Sequence, residues 1–261
     1  HFESDARIAR YAWLGEIAKA QGAAAVAVAH TRDDQAETVL HQILRGTGPR
    51  GLAGMRPRRR LTDAVELIRP LLAVSRGEIL EYLRSLNQPY RVDASNADTR
   101  RTRARIRHTL IPTLEREYNP RVRAALARLA ELAARADDLL RHQAQRLSRR
   151  VVVEQDSQRI LLSVDALLQL DEFERAETLR WVWHAAGWPE RSMSARRWRA
   201  LASWIESPLA GAGLSVGEGV EARCSGSTIE LVRRRAELAA VDREPSSKVV
   251  VVPLPLPGEV D

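Results

Sequence analysis

The 261-residue chain is long enough for two domains, and its 44% hydrophobic and 29% charged residues are typical of a globular protein. No apolar run approaches the ~20 residues of a membrane-spanning helix, and residues 1–13 do not have the pattern of a secretory signal. The single cysteine, Cys224, excludes an internal disulfide and a thiolate metal cluster, so we expect a cytoplasmic protein.

The formal net charge of +7 has two interpretations. It favours a polyanionic partner such as nucleic acid. Because lysine occurs only at positions 19 and 248, however, the arginine excess is also typical of a protein from a GC-rich genome. Clustering of the charge distinguishes these two interpretations better than the net charge does. Arginines are concentrated in residues 45–60 and 100–107.

The first third of the chain predicts alternating helices and strands. Apolar residues at helical spacing predict a helix over residues 5–20, and the run AAAVAVA at 23–29 predicts a strand buried on both faces of a parallel sheet. A second helix is expected over 33–44, followed by a glycine-rich loop at 45–55. The buried stripe of this second helix is expected to consist of Ala36, Val39, Leu40, Ile43 and Leu44.

The middle of the chain predicts more helix than strand. A strand at 65–69 precedes a helix at 75–86 that begins with an S-x-x-E capping box. A helix over 103–117 is expected to have a kink or a boundary at Pro112, because proline lacks the N–H that a helix interior needs. Residues 121–150 predict a long helix rich in arginine and alanine.

From residue 151 onward the pattern predicts a small α+β domain. A strand at 159–164 precedes helices between residues 165 and 207, and short β segments follow at 214–233. Tryptophans at helical spacing favour core packing over stacking on bases, at positions 181, 183, 188, 198 and 204. The predicted parts are a first domain at 1–118, a helical linker at 119–150, an α+β domain at 151–240 and the start of a further domain at 241–261.

Polar side chains follow the predicted strand at 23–29. His30 comes directly after it, and Asp34 and Glu37 lie three residues apart on the next helix, hence on one face. Open α/β sheets bind ligands at the carboxyl ends of their strands, so two carboxylates there can share a divalent cation that accompanies nucleotide phosphates. The alternative is that these acidic residues only stabilise the helix dipole.

Four motifs occur in an order and spacing similar to those of the tRNA(Ile)-lysidine synthetase family. They are AHTRDDQAET at 29–38, LRGTGPRGLAGM at 44–55, RPLL…SRGEI within 69–79, and D-x-S-N-x-D-x-x-x-T-R-x-R-I-R-H at 93–108. The resemblance continues upstream to ARIARYAWL and downstream to PLPGEV, so it covers essentially the whole chain.

The resemblance implies an α/β fold. The first domain would be a parallel-sheet, Rossmann-like domain of the adenine-nucleotide alpha-hydrolase type and the PP-loop superfamily, incomplete at its N-terminus. The implied activity is that of a ligase, which uses ATP and Mg²⁺ to adenylate the wobble cytidine of tRNA(Ile) at C2. The ε-amine of L-lysine then displaces AMP to form lysidine. The expected partners are tRNA(Ile) with a CAU anticodon and L-lysine, with a homodimer left open.

The resemblance also assigns site residues. The implied nucleotide-binding residues are Arg10, His30 and Asp34. The implied catalytic residues are His30, Asp34 and Glu37, joined by an arginine of the TRARIR stretch, for which we favour Arg103 or Arg105. Asp34 and Glu37 are also the candidate metal ligands.

The sequence departs from the family pattern in three places. Thr31 stands where the family often has a second histidine, and Ala104 stands where it often has an asparagine. The family's S-G-G-x-D-S loop, whose backbone N–H groups hold pyrophosphate, does not occur in these residues. We therefore expect little or no ATP-dependent activity from this chain alone.

The two arginine clusters flank the expected pocket. Arginine binds phosphates and stacks on unpaired bases, which is how single-stranded RNA loops are read, although a solvated basic face is the alternative. The expected RNA-contacting residues are Arg45, Arg50, Arg56, Arg58, Arg59, Arg101 and Arg107.

Two other functions stay open. Another tRNA-modifying PP-loop enzyme could insert sulfur, but such relatives carry sulfur on cysteines, and the single Cys224 argues against this chemistry. A noncatalytic tRNA-binding remnant would keep the fold and the arginines without ATP chemistry. Salt-dependent tRNA binding without ATP binding would distinguish this remnant.

Overall fold

The computed structural model describes residues 2–91, 102–190, 193–206, 213–217 and 219–233. The chain divides into two compact units, His1–Arg146 and Leu147–Asp261. The predicted further domain at 241–261 and the candidate Arg101 lie outside the described residues. Within the described ranges, no helix has the length and apolar character needed to cross a membrane.

The first unit combines helices with a three-stranded sheet. Its helices are α1 (Phe2–Ala20), α2 (Arg32–Leu44), α3 (Pro49–Leu52), α4 (Arg76–Ser85), α5 (Thr102–Arg105), α6 (Ile111–Glu117) and most of α7 (Val122–Val151). Its strands are β1 (Ala25–Ala27), β2 (Arg58–Arg60) and β3 (Glu66–Ile68). The central strand β3 pairs parallel with β1 and antiparallel with β2. The predicted helices α1, α2, α4 and α7 and the strands β1 and β3 are therefore confirmed.

Two predictions about burial in this unit are wrong. Strand β1 is parallel to β3 as expected, but its residues are exposed or half-buried, because β1 is an edge strand within the described part of the sheet. On α2, Ala36, Val39 and Leu40 are buried against a cluster that includes Ile106 and Leu126. Ile43 and Leu44 are 42% and 60% exposed, because this cluster covers only the earlier turns of α2.

The helix expected over 103–117 contains a wider turn. Between α5 and α6, residues Ile106–Leu110 form a π-helical turn, and the N–H of Ile111 donates to the carbonyl of Ile106. Pro112 follows directly and cannot donate a backbone hydrogen bond, and its ring would crowd the carbonyl four residues earlier in a regular helix. The widened turn relieves that crowding, so the predicted irregularity at Pro112 is a π turn.

The second unit is an antiparallel sheet packed by helices, which confirms the predicted α+β architecture. Its strands are β4 (Val152–Gln155), β5 (Arg159–Ser163), β6 (Leu214–Gly217), β7 (Val220–Ser225) and β8 (Thr228–Arg233), in the order β4-β5-β8-β7-β6. Its helices are α8 (Val164–Leu168), α9 (Glu172–Ala185) and α10 (Ala195–Trp204). The buried Trp183 ring meets Trp188 and Trp198 edge to face at 5.0 and 5.4 Å, which confirms core packing of the tryptophans.

Candidate active site

The carboxyl end of β1 leads through His30 into the N-terminus of α2. Thr31 caps this helix, because its hydroxyl accepts from the backbone N–H of Asp34. In return, Asp34 Oδ2 accepts from the backbone N–H of Thr31 at 2.9 Å and from its hydroxyl at 3.0 Å. This reciprocal capping box fixes the Asp34 carboxylate at the sheet edge, and it gives Thr31 a structural role of its own.

Asp34 and Glu37 bind two arginines as a four-residue ion cluster. Arg107 donates from Nε to Glu37 Oε1 at 2.6 Å, and from Nη2 to Glu37 Oε2 and Asp34 Oδ1, both at 3.0 Å. Arg103 donates from Nε to Glu37 Oε2 at 3.2 Å and reaches Asp34 Oδ1 at 3.5 Å. The Glu37 side chain is only 1% exposed, whereas those of Arg103 and Arg107 are 43% and 30% exposed. The cluster therefore has a buried acidic floor and a solvent-facing cationic rim.

The structure brings Arg103, one of the two favoured arginines, to the carboxylates together with Arg107. Arg103 and Arg107 are four residues apart and share one helix face, whereas Arg105 points elsewhere. Arg105 is exposed and donates to Thr102 Oγ1 at 3.4 Å. Arg107, predicted to contact RNA, instead faces Glu37, whose hydrogen bonds raise the Arg107 pKa above its ordinary value. The four-residue spacing was the signal in the sequence that could have found this pair.

Asp33 connects α2 to two other helices. Its carboxylate accepts from the backbone N–H of Arg76 at the start of α4 at 2.7 Å, and it pairs with Arg123 of α7 at 3.1 Å. A second link joins Arg32 to Glu78 at 3.0 Å. These contacts hold the N-terminus of α2, and hence Asp34 and Glu37, against its neighbours.

A cationic region lies beside His30. Arg69, which begins the RPLL motif, is only 4% exposed and donates from Nη1 to the carbonyl of Arg56 at 2.7 Å. Burial, and then the charge of Arg69, lowers the pKa of His30, and Arg103 and Arg10 act in the same direction. His30 Nδ1 is buried without a hydrogen-bond partner in the described residues. His30 is therefore a neutral imidazole at neutral pH with one ring nitrogen unused.

The described residues do not fit a divalent cation at Asp34 and Glu37. Asp34 and Glu37 use all four carboxylate oxygens to accept from Thr31, Arg103 or Arg107. No group of three His, Cys, Asp or Glu side chains able to hold a metal occurs in the described part of the chain. Two guanidinium groups face the carboxylates where the metal was expected. No finding tests the metal assignment of Asp34 and Glu37, so it stays a prediction.

Comparison with known proteins places this site in a family. The family model of the PP-loop domain matches residues 1–114, which include β1, α2 and the Asp34–Glu37 cluster. The α/β fold of the first unit, with its parallel β1–β3 pair, agrees with this match to the PP-loop domain.

The chain that carries this PP-loop domain is similar to proteins named tRNA(Ile)-lysidine synthase. It is 41% identical over 177 residues to that of Parabacteroides distasonis, a match that covers 68% of this chain and 37% of the relative. The match to the protein of Salinispora tropica is 51% identical over 132 residues and covers 51% of this chain and 39% of the relative. The match to the protein of Rhodopirellula baltica is 33% identical over 222 residues and covers 78% of this chain and 55% of the relative. The chain thus spans from about a third to about half of the length of these relatives.

The arginines of the PP-loop domain that were expected to contact RNA have different surroundings. Arg56 donates to Asp137 at 2.8 Å, to both oxygens of Asp138 at 3.0 Å and to the carbonyl of Ala134, so it fastens the chain before β2 to α7. The assignment of Arg56 to RNA stays a prediction beside this structural role. Arg58 is exposed beside Glu66 at 3.7 Å, and Arg59 lies over the ring of Tyr11. Arg45 is exposed, and the RNA assignments of Arg45, Arg50, Arg58 and Arg59 stay predictions.

Proposed function

We propose that this chain contributes the catalytic PP-loop domain of a tRNA(Ile)-lysidine synthase. The observation that carries the proposal is the Asp34–Glu37 cluster beside His30, in a domain whose relatives bear that name. The reaction joins a carbon to a nitrogen: oxygen O2 of the wobble cytidine attacks the α-phosphorus of ATP and releases pyrophosphate. The ε-amine of lysine then attacks C2, and AMP leaves with O2.

The cations around His30 suit the first step. Arg10 and Arg69 are close enough to lower the pKa of His30, so they also attract a phosphate placed at the sheet edge. Charge that develops on the α-phosphate and on the departing AMP is stabilised by fixed guanidinium groups. We assign Arg10 to the nucleotide and keep Arg69 as the buried residue that orients its neighbours.

The acidic floor suits the second step. A buried carboxylate pair that binds guanidinium groups also suits the ammonium group of lysine, which takes the place of the more exposed Arg103. His30, held neutral by burial and by Arg69, accepts the proton that the amine loses when it attacks C2. We derive no step through Mg²⁺.

The test is incorporation of radiolabelled lysine into a tRNA(Ile) transcript with a CAU anticodon. The chain is assayed alone and as a chimera in which a segment with the family's expected S-G-G-x-D-S motif is joined ahead of His1. We expect the chimera to incorporate lysine only with ATP and only with CAU, and Glu37→Gln to abolish this. A chimera that unfolds cooperatively and binds ATP but transfers no lysine contradicts the proposal.

A further inference from the structure

A cavity of about 560 Å³ lies between α1 and the β2 region, apart from the Asp34–Glu37 cluster. Arg7, Tyr11, Arg59, Leu61 and Thr62 contribute to its lining. Its volume lies within the range of pockets that hold a small ligand, and it exceeds what a single phosphate needs. The proposed reaction does not use these side chains.

Three guanidinium groups surround one aromatic ring at this cavity. The Cζ atoms of Arg59, Arg10 and Arg7 lie 4.8, 5.5 and 5.7 Å from the centre of the Tyr11 ring. The ring attracts each cation, but the cations repel one another. In the described part of the chain, none of the three forms an ion pair with a carboxylate. Among the described side chains, this positive charge is therefore without a carboxylate partner, and an anion would neutralise it.

Buried Arg69 adds a fourth positive charge next to Tyr11. It hydrogen-bonds with the Tyr11 side chain, and its Nε has no hydrogen-bond partner in the described residues. Burial alone would raise the pKa of Tyr11, yet the charges of Arg69, Arg7 and Arg10 bring it below its ordinary value. This fourth cation, hydrogen-bonded to Tyr11, raises the positive potential of the cavity further.

We propose that this cavity, formed by Arg7, Tyr11 and Arg59, binds one phosphodiester unit of an RNA strand. The size suits a nucleotide. We choose an RNA strand over a free nucleotide because the relatives of this domain are named for a reaction on tRNA. The identity of the polyanion rests on the proposed tRNA function. The anion site itself rests on the cavity and on its arginines, which form no ion pair within the described residues.

The experiment measures the binding of a fluorescently labelled RNA hairpin with an anticodon-type loop to the chain over a range of salt concentrations. The variants are Arg7→Gln, Arg59→Gln and the double variant, and the matched control is Lys19→Gln, which removes one positive charge from the exposed end of α1. We expect each cavity substitution to weaken binding roughly threefold to tenfold and to reduce the salt slope by about one, while Lys19→Gln stays close to wild type. Thermal unfolding verifies that all variants are folded.

The contrary outcomes separate this site from the proposed function. If the double variant binds the hairpin as tightly as wild type, RNA binds elsewhere and only the cavity proposal is overturned. If the double variant loses binding of AMP but not of RNA, a free nucleotide is the occupant, and the RNA assignment is overturned. A wild-type chain that does not bind the hairpin contradicts both the cavity proposal and the tRNA function.

Discussion

Glu37 and Arg107 form a two-point ion pair, in which Nε and Nη2 of the arginine each donate to a different oxygen of the carboxylate. Lysine cannot reproduce this planar fork, because an ammonium group is a single point of charge. The pair links α2 to the helical segment 102–117 across 70 residues of chain. The pair therefore stabilises the fold and also orients the Glu37 carboxylate in the site.

Replacing Glu37 with glutamine tests the buried floor of the cluster. The variant keeps the shape of the side chain but removes the negative charge that faces Arg103 and Arg107. The NH₂ group of the glutamine also faces the N–H donors of these arginines. We expect the free energy of unfolding to fall by about 1–3 kcal/mol, less than for a fully buried ion pair, because both arginines are partly solvated. Urea denaturation measures it, with Glu81→Gln on α4 as the control. An unchanged midpoint would contradict the role of the cluster.

Arg107→Lys tests the fork geometry. We expect a loss of about 1–2 kcal/mol of stability, because the second hydrogen bond to Glu37 and the contact with Asp34 cannot both be kept. Arg105→Lys is the matched control in the same segment and should change stability by less than about 0.5 kcal/mol. Equal effects of the two substitutions would show that Arg107 has no special role.

Arg56 gives a prediction that separates structure from RNA binding. Because Arg56 contacts Asp137 and Asp138, Arg56→Gln should lower the free energy of unfolding by about 1–2 kcal/mol. A double-mutant cycle with Asp137→Asn should give a coupling energy of at least about 0.5 kcal/mol. The exposed Arg45→Gln serves as control. A coupling energy near zero would contradict the structural role of Arg56.

His30 predicts a dependence of stability on pH. Its pKa is lowered in the folded state by burial and by Arg69, so the unfolded chain binds a proton more readily. The contribution of neutral His30 is present above the unfolded pKa of about 6.5 and is lost as pH falls through the folded pKa. We expect wild type to lose more stability than His30→Asn between neutral and mildly acidic pH, as measured by urea denaturation. Parallel pH profiles would contradict this.

The tryptophan cluster predicts a large effect in the second unit. Trp183→Ala removes two edge-to-face contacts and the hydrogen bond from Nε1 to the carbonyl of Pro189, and it leaves a cavity. We expect a loss of about 3–5 kcal/mol. Phe173→Ala, at an exposed position on α9, should cost far less. Tryptophan fluorescence during denaturation reports both variants.

Local features of this fold followed from sequence, and long-range ones did not. The Ser75–Glu78 capping box and the closeness of Asp34 to Glu37 depend on residues three apart, so helical spacing predicts them. The pairing of Arg107 with Glu37 and of Arg56 with Asp137 joins residues 70 and 81 apart. Strand β2 was missed because its residues, Arg58 to Arg60, have no apolar alternation. Burial of β1 depends on strand neighbours, which its own residues do not specify.

The π turn at Ile106–Leu110 changes the rotation of side chains around the axis of the helical segment that carries the arginines. One residue corresponds to about 100° of helical rotation, so shortening this turn by one residue would rotate Arg103 relative to α6 by about that angle. The guanidinium would then point away from Glu37, although every residue of the ion cluster is still in the chain. The direction of the arginine side chains thus depends on the number of residues in this turn as well as on their identity. A one-residue deletion here should be more harmful than most substitutions.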